Sequence, residues 1–170
     1  MAPILAFTAE EIWAHLPAWD GKEASVHLSG FPPARKEWLD EALAGRWERF
    51  LQLRGEVTKA LELARKNKVI GLALDARVVI MPPASLLSSL REERHLLEDL
   101  FIVSQVKVSE ETPSEATLES SEIPGLRIRV EPARGSKCAR CWKWDETVGA
   151  DPGHPQACDR CAGILKRLGG

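Results

Sequence analysis

The sequence predicts an α+β fold in three parts: a helical segment, a small α+β unit and a C-terminal four-cysteine ribbon. Three observations lead there. From Lys36 to Lys68 there is no proline, and apolar residues recur every three or four positions, which is the period of a helix. After Gly71 the period shortens to the alternation of strands, interrupted by one more helical pattern. All four cysteines fall between residues 138 and 161, in two Cys-x-x-Cys pairs. The expected boundaries are residues 1–70, 71–133 and 134–170.

Taken in order, "FTAEEIWAHLP" reads as a short helix. Thr8 can cap it, Glu11 stands three residues on to complete a capping box, and Pro17 ends it. Ile12, Trp13 and Leu16 form its apolar stripe. Residues 18–36 hold Gly21, Gly30, Pro32 and Pro33 around "SVHLSGF", which suggests a loop with one extended piece. The long helix follows, with Leu39, Leu43, Trp47, Phe50, Val57, Leu61 and Ala64 on one face. Arg54 is expected on that stripe, as a snorkelling or ion-paired arginine, or as a reader of phosphate. Arg65, Lys66 and Lys68 crowd the last turn, where cations complement the helix dipole without any ligand.

"RVVIM" then reads as a strand, Pro82 and Pro83 break the chain, and "SLLSSLREERHLLEDL" reads as one amphipathic helix. "FIVSQVKV" and "LRIRV" alternate as strands, giving a unit of three strands and one packed helix. His95, alone on its helix, is read as surface or satisfied core. The intervening "SEETPSEATLESSE" is polar, acidic and expected to be a mobile loop.

Cys138, Cys141, Cys158 and Cys161 give C-x2-C-x16-C-x2-C, a spacing that fits a four-thiolate zinc site. Each two-residue gap lets a tight turn offer two sulfurs to one ion. Four soft thiolates select zinc over magnesium or calcium, although iron could use the same ligands. Such a site is closed, so the single structural zinc folds the module and activates no water. A redox dithiol is the weaker reading, because no βαβ pattern surrounds either pair. His154 is taken as a turn residue, since four thiolates already complete the metal's coordination.

Charge is uneven along the chain. Residues 1–126 hold 14 basic and 20 acidic side chains, whereas residues 127–170 hold 9 and 5. A small basic module on an acidic body suits contact with a polyanion at that end alone. Around the first cysteine pair stand Lys137, Arg140, Trp142, Lys143 and Trp144, with Arg134 upstream and Arg160 in the second pair. Cations interleaved with indoles suit unpaired nucleotides, whose phosphates need charge and whose bases need flat faces. Either Trp142 or Trp144 could instead pack over the sulfurs. No run reaches the ~18 to 20 apolar residues of a membrane span, and neither the start nor the cysteine spacing calls for an export signal or disulfides. A cytoplasmic monomer with no membrane contact is expected.

The motifs "PILAFTAEEIWAHLP", "SVHLSGFP", "RGEVTKALELARKNKVIG", "KCARCWKW" and "CDRC" occur in the order seen at the C-terminal end of bacterial isoleucyl-tRNA synthetases. This chain resembles that region over nearly its whole length. The first motif is shared with the related class I enzymes for valine and leucine; the terminal four-cysteine finger points to isoleucine. The resemblance implies the end of a class I anticodon-binding bundle, a small α+β unit and a zinc finger, binding the anticodon stem-loop of tRNA-Ile. It also implies that ATP and Mg2+ are used elsewhere, in catalytic and editing domains that these residues do not contain. Neither His-Ile-Gly-His nor Lys-Met-Ser-Lys-Ser occurs in this sequence, so the segment is expected to bind tRNA without charging it.

By motif position, the resemblance gives Arg140 a phosphate or base edge and Trp142 an unpaired base, with Lys137, Lys143 and Trp144 beside them. The sequence departs from the family where many members have serines and this chain reads "VIGLALDA". It also implies that Ile4, Leu5 and Trp13 expose apolar surface covered in the full enzyme. Two other readings compete. Formamidopyrimidine-type DNA glycosylases carry a similar finger but use an N-terminal proline beside a glutamate, whereas Pro3 here follows Ala2 and precedes Ile4. A zinc ribbon serving only as a structural or docking module is the other.

Overall fold

The computed structural model describes residues 1–110 and 117–169 and divides into two compact units, Met1–Glu41 and Ala42–Gly170. In the first, helix α1 (Ala6–His15) starts from Leu5, which offers no side-chain cap. The expected cap, Thr8, lies inside the helix, so the capping box does not form. Glu10 does the fastening instead: its carboxylate accepts from Ser25 Oγ at 2.8 Å and from the Val26 N–H at 3.1 Å. The Ser25 hydroxyl in turn accepts from the His27 N–H. These bonds curl Val26–Leu28 into a 3-10 turn, where the sequence suggested an extended piece. Trp13 and Trp19 meet edge to face at 5.2 Å with Lys22 over both rings, while Ile4 and Leu5 are exposed.

Helix α2 (Glu41–Lys66) follows a separate 3-10 turn at Lys36–Trp38 and, from Ala42 on, belongs to the second unit. Its buried face runs through Phe50, Leu53, Val57, Ala60, Leu61 and Ala64. Arg54 is exposed, because this face passes through Leu53 and Val57 and leaves residue 54 about 100° to one side. The ionisable residue that is buried is Glu56, only 2% exposed, bonded at 2.6 Å to Lys59 Nζ.

The strands are β1 (Ala76–Met81), β2 (Gln105–Val108), β3 (Leu118–Glu119) and β4 (Arg127–Pro132), in the order β2-β1-β4-β3. β1 runs parallel to β2 and antiparallel to β4, with Val78 opposite Val106 and Val130. Ala76, Val78, Ile80, Val106 and Ile128 share one core with the buried face of α2. Two helices, α3 (Ala84–Glu92) and α4 (Arg94–Phe101), replace the single one expected, since Glu93 at φ −98°, ψ 20° breaks the run. Leu90 and Leu97 then reach the same core from separate helices. The strand expected at "FIVSQVKV" begins only at Gln105, because Phe101 ends α4 and Ile102 turns left-handed at φ 57°. In the acidic stretch, Leu118 and Glu119 form β3; residues 111–116, expected to be a mobile loop, lie outside the described residues. His95 is on the surface.

Candidate metal centre and nucleic-acid interface

The C-terminal module starts with a hairpin, β5 (Ser136–Lys137) against β6 (Trp144–Asp145), with Lys137 opposite Trp144. Gly135 enters it at φ 88°, and a Cβ there would stand 2.4 Å from the Asp145 carbonyl group, so only glycine fits. Between the strands the chain folds into the first knuckle. The Cys138 N–H donates to the Lys143 carbonyl and the Trp142 N–H to the Cys138 carbonyl, both at 2.9 Å. The second knuckle leads into α5 (Asp159–Arg167), whose first N–H donates to Thr147 Oγ1 at 3.0 Å. A backbone bond from Ala139 N–H to the Gln156 carbonyl joins the knuckles.

This folding brings the four predicted sulfurs together, all within 4.8 Å of one another, with Cys141 and Cys158 at 3.9 Å. Four sulfurs held ~2.3 Å from zinc stand about 3.8 Å apart, so the cluster fits a tetrahedral ion. Cys138, Cys158 and Cys161 are buried and Cys141 partly so. The backbone supports the charge as well: the Cys158 N–H lies 3.3 Å from Cys138 Sγ. Burial opposes ionisation of Cys138, but the backbone N–H groups of Cys141, Cys158 and Arg140 pull its thiol down to about 6. Burial, joined by the neighbouring thiols, pushes Cys158 up to about 12. Four thiolates cannot coexist in this volume without a cation, so zinc would displace the last protons. Each knuckle's arginine also reaches a sulfur of the other: Arg140 lies 3.8 Å from Cys161 Sγ, and Arg160 bonds Cys141. His154 sits in a turn, its N–H on the Asp151 carbonyl, outside the cluster.

The aromatic and basic residues divide. Trp142 is 63% exposed and holds φ 65°, a conformation that disfavours any side chain and a bulky one most. The Lys137 ammonium lies 5.9 Å from the Trp142 ring. Arg140 is exposed. Lys143, by contrast, pairs with Asp99 at 2.7 Å and Glu98 at 3.7 Å. Trp144 is half-buried, its indole N–H donating to Asp75 Oδ1 at 3.1 Å and its backbone N–H to Ser104 Oγ at 2.7 Å. Neither Ser104 nor Asp75 stands out in the sequence, since each lies 40 residues or more from its partner. Among the described residues, no helix is long and apolar enough to cross a membrane.

Residues 1–80 match a family model described as the anticodon-binding domain of tRNA ligase. Residues 135–163 match one described as the zinc finger found in FPG and IleRS. The chain is 46% identical over 166 residues to the isoleucine–tRNA ligase of Geobacter sulfurreducens, covering 98% of this chain and 18% of that protein. Its identity to the isoleucine–tRNA ligase of Moorella thermoacetica is 44%, covering 99% of this chain and 18% of that protein. For the isoleucine–tRNA ligase of Kosmotoga olearia it is 38%, with the same 99% and 18% coverage.

Proposed function

We propose that this chain, which is similar to isoleucine–tRNA ligases over nearly its whole length and spans 18% of theirs, is their tRNA-binding C-terminal segment. It would grip the anticodon stem-loop of tRNA-Ile, so that catalytic and editing domains outside these residues can attach isoleucine with ATP and Mg2+. Residues 138–161 would hold one structural zinc ion. Reading identity at the anticodon suits the chemistry, because an amino-acid pocket separates isoleucine from valine by a single methylene, worth only ~1 to 3 kcal/mol. The assembled enzyme would act as a cytoplasmic monomer. The matches to ligases over nearly the full chain weigh against a DNA glycosylase.

The observation that carries this reading is Trp142, an exposed indole at φ 65°. The knuckle's bond from the Trp142 N–H to the Cys138 carbonyl accounts for the backbone turn. A bulky indole left 63% exposed there, with the Lys137 ammonium beside it, is nonetheless a costly choice of side chain that a ligand needing the ring would explain. An unpaired base stacked on Trp142, with Lys137 and Arg140 toward its phosphates, satisfies the geometry. Lys143 and Trp144 are held by Asp99, Asp75 and Ser104, so in this reading their contribution to binding would be secondary; Arg140 is held more loosely, by a 3.8 Å contact with Cys161 Sγ.

The test is affinity for the tRNA-Ile anticodon stem-loop and for an anticodon-swapped control. Trp142→Ala is expected to weaken binding by ~1 to 3 kcal/mol, and Arg140→Ala to weaken it too, with zinc content retained. Unchanged affinity in both variants would reject the interface and leave a purely structural zinc module.

A further inference from the structure

Zinc fixes the shape of the knuckle but not its direction, and direction is what stacking requires. The hairpin stands on the Lys137–Trp144 pair, with Trp142 toward its tip. Among the described residues, three sets of hydrogen bonds and ion pairs tie it to the α+β unit, and the Lys137 charge also acts on Asp75. Lys143 pairs with Asp99 and Glu98, but these acids are 79% and 44% exposed, and such surface pairs hold weakly. Gln105 exchanges two 3.0 Å bonds with the Arg134 backbone upstream of the hairpin, at an exposed site. The third set is the best sheltered. Ser104, 4% exposed, accepts from the Trp144 N–H at 2.7 Å and donates to the Leu74 carbonyl at 2.5 Å. The next residue after Leu74, Asp75, accepts the Trp144 indole N–H on Oδ1 and the Leu72 N–H on Oδ2.

We propose that Ser104 and Asp75 are positioning residues for tRNA recognition: through Trp144 they fix the hairpin's direction, and so aim the Trp142 ring and the Lys137 charge. Removing the Ser104 hydroxyl leaves a partly buried Trp144 N–H and the Leu74 carbonyl without the bonds it made, so the hairpin base must shift or hydrate. Neither residue is one of the four clustered cysteines, and in this role neither need contact the RNA. This inference rests on the tRNA-binding reading above.

The experiment uses the full-length ligase carrying this segment. Ser104→Ala should raise KM for tRNA-Ile by about five- to tenfold, with kcat, tRNA-independent isoleucine activation and zinc content unchanged. Ser104→Thr, which keeps the hydroxyl, should restore KM. In a Trp142→Ala background, Ser104→Ala should add nothing, because the ring it aims is gone.

Three results would overturn the role. One is a normal KM in Ser104→Ala while Trp142→Ala is impaired, which leaves tRNA binding by Trp142 standing. Another is a full additional KM increase in the Trp142→Ala background. The third is loss of zinc or of isoleucine activation in Ser104→Ala that Ser104→Thr does not rescue. If Trp142→Ala itself leaves KM unchanged, the stacking reading fails first and the positioning role goes with it.

Discussion

At the level of single residues, the clustering of the four cysteines was legible because their relation is local: two pairs at fixed spacing need no knowledge of the rest of the chain. The division between Trp142 and Trp144 was not, because it depends on Asp75, 69 residues before Trp144. Trp142 yields a test in which stability and function move in opposite directions. Trp142→Gly relieves a left-handed φ and should stabilise the zinc-loaded module by about 1 kcal/mol in chemical denaturation. The same variant should bind the anticodon stem-loop more weakly, as Trp142→Ala does. Gly135 gives the converse case. Gly135→Ala would place a methyl 2.4 Å from the Asp145 carbonyl group at φ 88°, so it should cost about 2 kcal/mol or more, seen as a lowered melting temperature.

At the level of elements, periodicity located α2, β1 and β4 because each buries one face continuously. It missed the break at Glu93, since the leucines of α3 and α4 keep a helical spacing across it. It also placed Arg54 on the buried face, an error of one residue that hid Glu56. The buried Glu56 makes a prediction about acid. The Lys59 ammonium, then the Ser120 hydroxyl, hold its carboxyl below the ordinary 4.5 despite burial. A depressed folded-state value means stability that is present above pH 4.5 and lost as pH falls through the folded value. Asp75 acts in the same direction, held below its ordinary value by the Leu72 N–H, with the Trp144 indole adding to it and outweighing burial. Urea titrations across the acid range should therefore show falling midpoints, and Glu56→Gln should flatten part of that slope while lowering stability at neutral pH.

Across the whole second unit there are two separate apolar clusters, one uniting α2 with the sheet and one around the cysteines. The first has an extensive buried core and paired strands to hold it; the second is too small to stand without a metal ion. Chelation should therefore abolish amide-exchange protection across residues 137–165 while α2, β1 and β4 keep theirs. Loss of protection everywhere would show that the clusters fold as one. The crossed arginines have a further consequence, for the net charge that RNA meets. Counted with neutral thiols, residues 127–170 carry four excess positive charges. Cys138, whose thiol is pulled down to about 6, already lowers that excess to three at neutral pH. Loading would release the remaining three protons and add a dication, leaving an excess of two, with Arg140 and Arg160 against the dianion. The filled finger is thus the less cationic of its two forms, so its hold on an anticodon would depend more on shape and stacking, and its attraction to any passing polyanion would be reduced.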